Sequence, residues 1–467
     1  MKRRCKSMTH LADLSLRDVS SGFRTRRFSA SELLEQCLQR ISSTRNRRSA
    51  FLQVLDESAR KAAQQTDIRI KNESLLGPLD GVPIAIKDNI RIKGYPTTVG
   101  FQFWRDSVTE EDAQVITLLQ TAGAVLVGKT NLDEAALGAT TDNAFFGCTY
   151  NPYGENMTPG GSSGGSSAAV AGRLCIGALG TDTMGSIRIP ASYCGVVGLK
   201  PTYGRISTRG IVPLSRHFDH VGPFGRTVED VQIMLSILEG FDPRHPDSRR
   251  NPNTSVEPFN VKGLRLGTIE NFHQTEWHPK VSASFKDSLK RMKDLGCLIE
   301  PLEIPDYEPA STRISCLKFV EAEAASTFSN ELLSTSNQIP DKILKLLNYG
   351  ARLNSKQRNQ VKSHLLDLSN RANILFDQVD ALIAPTTPQA AFPFEAEVPI
   401  NQSDLTVLAN IANWPAISVP IGFDQNGMPL GIQFMAPAWQ DTTVIELAHS
   451  FELSRGPFPG PDHINSI

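Results

Sequence analysis

Three short stretches of this chain carry residues able to attack a carbonyl carbon. The first, TPGGSSGGSSAAVAG (residues 158–172), sets Ser162 and Ser163 among glycines. The second, GTDTMGSIRIPASYCG (residues 180–195), holds Ser186 in a Gly-flanked turn directly after the apolar run RLCIGAL. The third, GPLDGVPIAIKDNI (residues 77–90), places Lys87 at the end of the alternating residues Val82, Ile84 and Ile86. Serine is a weak nucleophile until a base takes its proton. That base need not be histidine, because a lysine buried away from water gives up its charge readily. Small residues in the turn before Ser186 leave successive backbone N–H groups free to face a developing oxyanion. These residue types support acyl transfer without a histidine. The competing reading of Lys87 is an ordinary surface lysine in a loop.

The Gly/Ser stretch admits other readings. A flexible linker has this composition, but SSAAVAG and RLCIGALG follow at once and read as core. A phosphate cradle at a helix start needs a Walker-type lysine or a GxGxxG pattern, and neither is present. Gly161-Ser162-Ser163-Gly164-Gly165 formally matches G-x-S-x-G, with Ser163 as nucleophile. That elbow requires a strand directly before it, and NPYGENMTP is not one.

Elements able to position these groups alternate along the chain. SASELLEQCLQRI reads as a helix opened by a Ser29/Glu32 capping box, with Leu33, Leu34, Cys37, Leu38 and Ile41 on one stripe. Val115, Ile116, Leu118 and Leu119 mark a helix that Gly123 ends, and Ala124–Val127 reads as a buried strand. RLCIGALGTDT, GLRLGTIE, VDALIAPTTP, PAISVPIGF and PLGIQFMAP read as further strands, the last two joined by a turn at Asn426-Gly427. Val281, Phe285, Leu289, Met292 and Leu295 lie at helical spacing ahead of Gly296. The alternation predicts an α/β fold, a large mixed β-sheet covered on both faces by helices. We expect one domain over residues 1–467, with an N-terminal helical segment to about residue 75.

Bulk composition is that of a water-soluble globular chain. The 467 residues are 40% hydrophobic and 21% charged, with net charge -1, so nothing in the balance favours a nucleic-acid or membrane-surface partner. Seven cysteines (Cys5, Cys37, Cys148, Cys175, Cys194, Cys297 and Cys316) form no CxxC pair and read as free thiols in a reducing compartment. The basic start MKRRCKSMTH is not followed by an apolar signal core, and no stretch is long and apolar enough to span a bilayer. A cytoplasmic location is expected.

The run GGSSGGSSAAVAG … ALGTDTMGSIRIPASYCGVVGLKPTYGRIS resembles the amidase signature family. GPLDGVPIAIKDNI, GAVLVGKTNLDE, TYNPY, HVGPFGRTVED, APTTP and NWPAISVPIGF extend the resemblance over nearly the whole chain. It implies a Ser–cis-Ser–Lys triad of Lys87, Ser162 and Ser186. The cis peptide would lie before Ser163 or at the Ser162 bond itself. Ser186 would be the nucleophile, and the backbone N–H groups of Thr183, Met184, Gly185 and Ser186 would form the oxyanion hole. Asp182 and Arg188 would support the turn as a charged pair, and Ser163 and Thr181 would hydrogen-bond within the loop. No cofactor and no metal are implied. One position departs from the family's habit: Met184 stands where many members carry Gly, which a backbone oxyanion hole tolerates if φ there is negative.

Within the family, the resemblance implies a stand-alone amidase acting on a small carboxamide or ureide, with homodimers among its relatives. The alternative is the A-type component of an aspartyl/glutamyl-tRNA amidotransferase, which releases ammonia from glutamine and works with B and C subunits. KLLNYGARLNS keeps Tyr349-Gly350 of that subfamily's Arg-Tyr-Gly motif but has Asn348 for the Arg, with Arg352 and Arg358 nearby as possible carboxylate ligands. An inactive member with a binding role is the reading from another class. His217 and His220 have H-x-x-H spacing but only Asp219 beside them, so a loop or core role is expected rather than a metal site. Trp414 and Phe392 are candidates for a substrate channel or for core. FEAEVPINQSDLTVLANIANWP is expected to contribute to the pocket.

Overall fold

A computed structural model describes residues 10–48, 50–252 and 259–461. The basic N-terminal stretch up to residue 9, with Cys5, lies outside the described residues. The chain opens with α1 (Leu16–Arg24) and α2 (Ala30–Arg48), followed by β1 (Phe51–Val54) and α3 (Asp56–Lys71). The Ser29/Glu32 box is formed: Glu32 N donates to Ser29 Oγ at 3.0 Å, and Ser29 N donates to Glu32 Oε2 at 2.7 Å. The segment is not purely helical, because β1 joins the sheet beside a later strand.

The first half then builds β2 (Pro83–Lys87), α4 (Gln114–Thr121), β3 (Val125–Thr130), the short hairpin β4 (Asp142–Asn143) and β5 (Gly147–Cys148), α5 (Gly164–Ala171), β6 (Gly177–Asp182), α6 (Arg188–Tyr193), β7 (Val197–Lys200), β8 (His220–Gly225) and α7 (Val228–Leu238). The second half adds β9 (Arg265–Ile269), α8 (Pro279–Asp294), β10 (Leu298–Leu302), α9 (Pro309–Thr327), α10 (Ser329–Ser334), α11 (Asp341–Arg352), α12 (Ser355–Asn373), β11 (Ala381–Pro385), α13 (Val407–Ile411), β12 (Ala416–Phe423), β13 (Pro429–Met435) and α14 (Asp441–Arg455).

Eleven strands form one mixed sheet in the order β1-β3-β2-β6-β8-β7-β12-β13-β11-β9-β10, with helices flanking it. β3, β2 and β6 run parallel and are buried throughout, which explains their continuous apolar character in sequence. β8 pairs antiparallel between β6 and β7. Its sequence does not announce a strand: HVGPFG contains two glycines and a proline, and its neighbours, not its own propensity, hold it in the sheet. Parallel register sets Ile86 opposite Leu179. The carboxyl ends of β2 and β6 therefore emerge side by side, with Lys87 on one and Thr181-Asp182 on the other. Ligand sites in α/β sheets lie at such ends.

Candidate active site

The Gly/Ser stretch is buried from Thr158 to Gly172, so it is no tether. Its second half is α5, which packs against β6, β2 and β3. Glycine is required for that approach. A Cβ at Gly165 would sit 2.5 Å from the backbone of Asn131, and one at Gly161 would sit 2.2 Å from Asp133 Oδ2. Ser166 Oγ donates to Leu179 O at 2.8 Å and shares a bond with Thr130 Oγ1 at 2.7 Å, fixing α5 to the strand ends. The Gly161–Ser162 peptide is cis. No strand precedes the G-x-S-x-G match, and Ser163 Oγ is fully buried, donating to Thr181 O at 3.0 Å. The elbow geometry is absent. Ser163 braces the loop against β6 and not, as expected, within the loop.

Lys87 is 0% exposed at the end of β2. Its Nζ lies 2.8 Å from Ser162 Oγ and 2.8 Å from Thr181 Oγ1. Burial brings the lysine down to about 7, against the opposing pull of Asp133, Asp219 and Asp182. The surface-lysine reading is thereby set aside. Thr181 Oγ1 also accepts from Asn89 Nδ2 at 3.1 Å. Thr181 Oγ1 thus accepts from both Lys87 and Asn89, which engages both of its lone pairs. Sequence reasoning expects Thr181 to bond within its loop and does not single out Asn89. Their only signal is proximity to two strand ends.

Ser186 follows β6 by four residues and is 8% exposed. Ser163 N donates to Ser186 O at 3.3 Å, so the Gly/Ser loop and the turn lie against each other. The Ser162 and Ser186 hydroxyls are not hydrogen-bonded to one another, and Ser186 Oγ makes no hydrogen bond among the described residues.

The turn before Ser186 is held from three sides. Asp182 accepts from Gly185 N at 2.8 Å and Ile187 N at 3.2 Å, and pairs with Arg188 at 3.1 Å. Both charged side chains are 0% exposed, and Arg188 is further satisfied by Gln433 Oε1 at 2.9 Å and Asn410 Oδ1 at 2.6 Å. Burial alone would push the Asp182 carboxyl up. The Arg188 guanidinium, with Lys200 and Asn410, holds it well below the usual carboxylate range. Thr406 Oγ1 donates to Met184 O at 2.7 Å, and Thr183 Oγ1 donates to Asp219 Oδ1 at 2.6 Å. The segment 404–410 thus reaches the site, but as the back wall of the turn.

Gly185 N–H, expected in the oxyanion hole, donates to Asp182 Oδ1 in this structure. The N–H groups of Thr183, Met184 and Ser186 have no acceptor among the described residues. Gly185 has φ +127°, and a Cβ there would lie 2.3 Å from Thr406 Oγ1, so glycine is needed for conformation and not for donation. Met184 is absent from the positive-φ residues and lies half-buried against the apolar cluster that includes Leu405 and Val407.

The H-x-x-H histidines diverge. His217 is surface-exposed with Nδ1 2.6 Å from Glu323 Oε1, while buried His220 turns Nδ1 to Phe218 O at 2.7 Å and Asp182 O at 3.2 Å. Trp414 is core, donating to Asn373 Oδ1 at 2.8 Å. Phe392 packs edge-on to Tyr193 at 6.2 Å. Asn348 and Arg352 are exposed on α11, and Arg358 Nε donates to Leu353 O at 2.9 Å. None of the three bonds the serines or Lys87. Among the described residues, six cysteines are free thiols and no helix is long and apolar enough to cross a membrane.

The mixed eleven-stranded sheet with flanking helices is the architecture of the amidase signature enzymes, and the chain belongs to the Amidase family, whose model matches residues 32–445. The A-type component of glutamyl-tRNA(Gln) amidotransferase from Synechococcus sp. is 37% identical over 93% of this chain and 96% of its own length. The structure is similar to the native peptide amidase of Stenotrophomonas maltophilia, at 28% identity and TM-score 0.86 over 96% of this chain and 98% of that one. It is also similar to the A-type component of the Thermotoga maritima glutamyl-tRNA(Gln) amidotransferase, at 30% identity and TM-score 0.81 over 97% of this chain and 98% of that one.

Proposed function

We propose that this chain cleaves a carboxamide C–N bond through an acyl-enzyme on Ser186, with Ser162 as proton relay and Lys87 as base. The observation that carries this is the 2.8 Å contact between a fully buried, charge-disfavoured Lys87 and Ser162 Oγ, beside a turn with unengaged N–H groups. Neutral Lys87 accepts the Ser162 proton, Ser162 accepts the Ser186 proton, and Ser186 Oγ attacks the carbonyl carbon. The Thr183, Met184 and Ser186 amides face the oxyanion. The relay runs in reverse to protonate the leaving nitrogen, and water then hydrolyses the ester. The Ser186–Ser162 link closes by rotation of the Ser186 side chain as substrate binds, since catalytic hydrogen bonds are often long before the substrate complex forms.

For the amide itself we favour glutamine, used as an ammonia source by an A-type amidotransferase component working with B- and C-type partners. The curated relatives carry that name across 91–94% of this chain. This places the weight on the alternative reached from sequence and not on the stand-alone amidase. The stand-alone reading keeps two observations: Asn348 for the subfamily's Arg, and the close structural likeness to a peptide amidase. Ammonia release from glutamine and from a panel of small carboxamides, measured with and without coexpressed B- and C-type partners, tests the choice. Glutamine turnover that appears only with the partners supports the amidotransferase reading. Partner-independent turnover of another amide overturns it.

A further inference from the structure

The contacts of the 214–219 loop extend the site outward. Asp219 Oδ1 takes the Thr183 hydroxyl, while its Oδ2 takes Leu214 N at 2.9 Å and Ser215 N at 3.0 Å. Ser215 then turns its hydroxyl to Glu323 Oε2 on α9. His217 N donates to the same oxygen at 3.4 Å, and His217 Nδ1 lies 2.6 Å from Glu323 Oε1. One residue, Ser215, therefore joins two carboxylates: the buried Asp219 that holds the turn, and Glu323 on the helical layer. Ring packing repeats the link, with Phe319 of α9 edge-on to both His217 at 5.2 Å and Phe218 at 5.6 Å. Lys362 of α12 reaches His217 Nε2 at 3.1 Å.

We propose that Glu323 is a positioning residue for the oxyanion turn: its carboxylate fixes the 214–219 loop on α9, and Asp219 at the end of that loop holds Thr183 in place. The inference rests on the reading of Ser186 as nucleophile and of the turn as its oxyanion hole. Asp182 and Thr406 clamp Met184, Gly185 and Ile187 but leave Thr183 to Asp219 alone. Loosening Glu323 frees the side of the turn that presents the Thr183 N–H. A displacement near 1 Å at a reacting group costs about 100-fold in rate.

The test is the rate of Ser186 modification by a fluorophosphonate, resolved into the inactivation rate constant and the half-saturating concentration. Attack by Ser186 Oγ expels fluoride and develops negative charge on the phosphoryl oxygen, so the rate constant reports the hole. Glu323→Ala is expected to lower that constant roughly 10- to 100-fold, with the half-saturating concentration unchanged within about threefold. Glu323→Gln keeps one acceptor oxygen for the loop and is expected to recover most of the loss. A wild-type rate constant in Glu323→Ala overturns the proposal, as does a loss confined to the half-saturating concentration. If Glu323→Ala does not fold, the Ser215→Ala/His217→Ala double variant removes the loop's two side-chain bonds to Glu323. The same loss supports the proposal there, and a wild-type rate overturns it. Failure to modify Ser186 in the wild-type protein itself overturns the underlying nucleophile reading, which separates the two failures.

Discussion

Replacing Lys87 with Met is expected to abolish activity and at the same time stabilise the fold near neutral pH. Lys87 is fully buried, and its ionisation falls from 10.5 to about 7. At ~1.4 kcal/mol per pH unit, that displacement is a folding cost of about 4–5 kcal/mol at and below pH 7. The sign follows from linkage: the unfolded chain binds the proton more tightly, so the cost is full below pH 7, shrinks as pH rises, and is gone above the unfolded value. Methionine has similar length and no charge. The variant also loses the bonds to Ser162 and Thr181, which offsets about 1 kcal/mol each. A net gain of about 2–3 kcal/mol at pH 7 remains, falling to about zero near pH 9 and reversing above it. Urea denaturation of both proteins from pH 6.5 to pH 9.5, with amide turnover measured alongside, reads all of this. A variant less stable than wild type at pH 7, or a difference that does not shrink as pH rises, would refute the claim that Lys87 is held neutral at the expense of stability.

Other consequences are open to direct measurement. The kcat/KM profile should fall on the acid side with a midpoint near 7, because protonated Lys87 cannot accept from Ser162. Asp219, pushed up by burial to about 7, titrates in the same range, so the limb should persist in Asp219→Asn if Lys87 is its source. Ser163→Ala should lower stability by about 1–2 kcal/mol through loss of the Thr181 bond while keeping far more activity than Ser162→Ala, where general-base assistance of about 100-fold or more is lost; thermal unfolding and turnover compare the two. Asp182→Asn should cost about 3–5 kcal/mol, because it leaves the Arg188 charge buried without its partner, and should be visible as loss of soluble folded protein.

How far the sequence spoke depended on whether a property was local. Lys87 at the end of an apolar alternation, the core character of the residues after the Gly/Ser run, and the capping box at Ser29 and Glu32 are local patterns, and each is found where expected. The oxyanion turn was legible as a segment but not in its bonding. Gly185 N–H donates to Asp182 from a residue at φ +127°, at a place where a Cβ would meet Thr406, far along the chain. Asn89 and Thr181 gained meaning only when parallel pairing set β2 beside β6. β8 was missed because its Gly-Pro content hides a strand that its neighbours impose. Asn348 departs from a subfamily motif in sequence, with Arg352 and Arg358 nearby as possible carboxylate ligands, yet none of the three is bonded to the serines or to Lys87.

Labelling of wild type and Lys87→Ala with a fluorophosphonate, followed by peptide mass spectrometry, tests the central claim most directly. The account predicts an adduct on Ser186 whose rate of formation falls by about 100-fold or more in Lys87→Ala. An adduct on Ser162 or Ser163, or a Ser186 adduct that forms equally fast without Lys87, would contradict it.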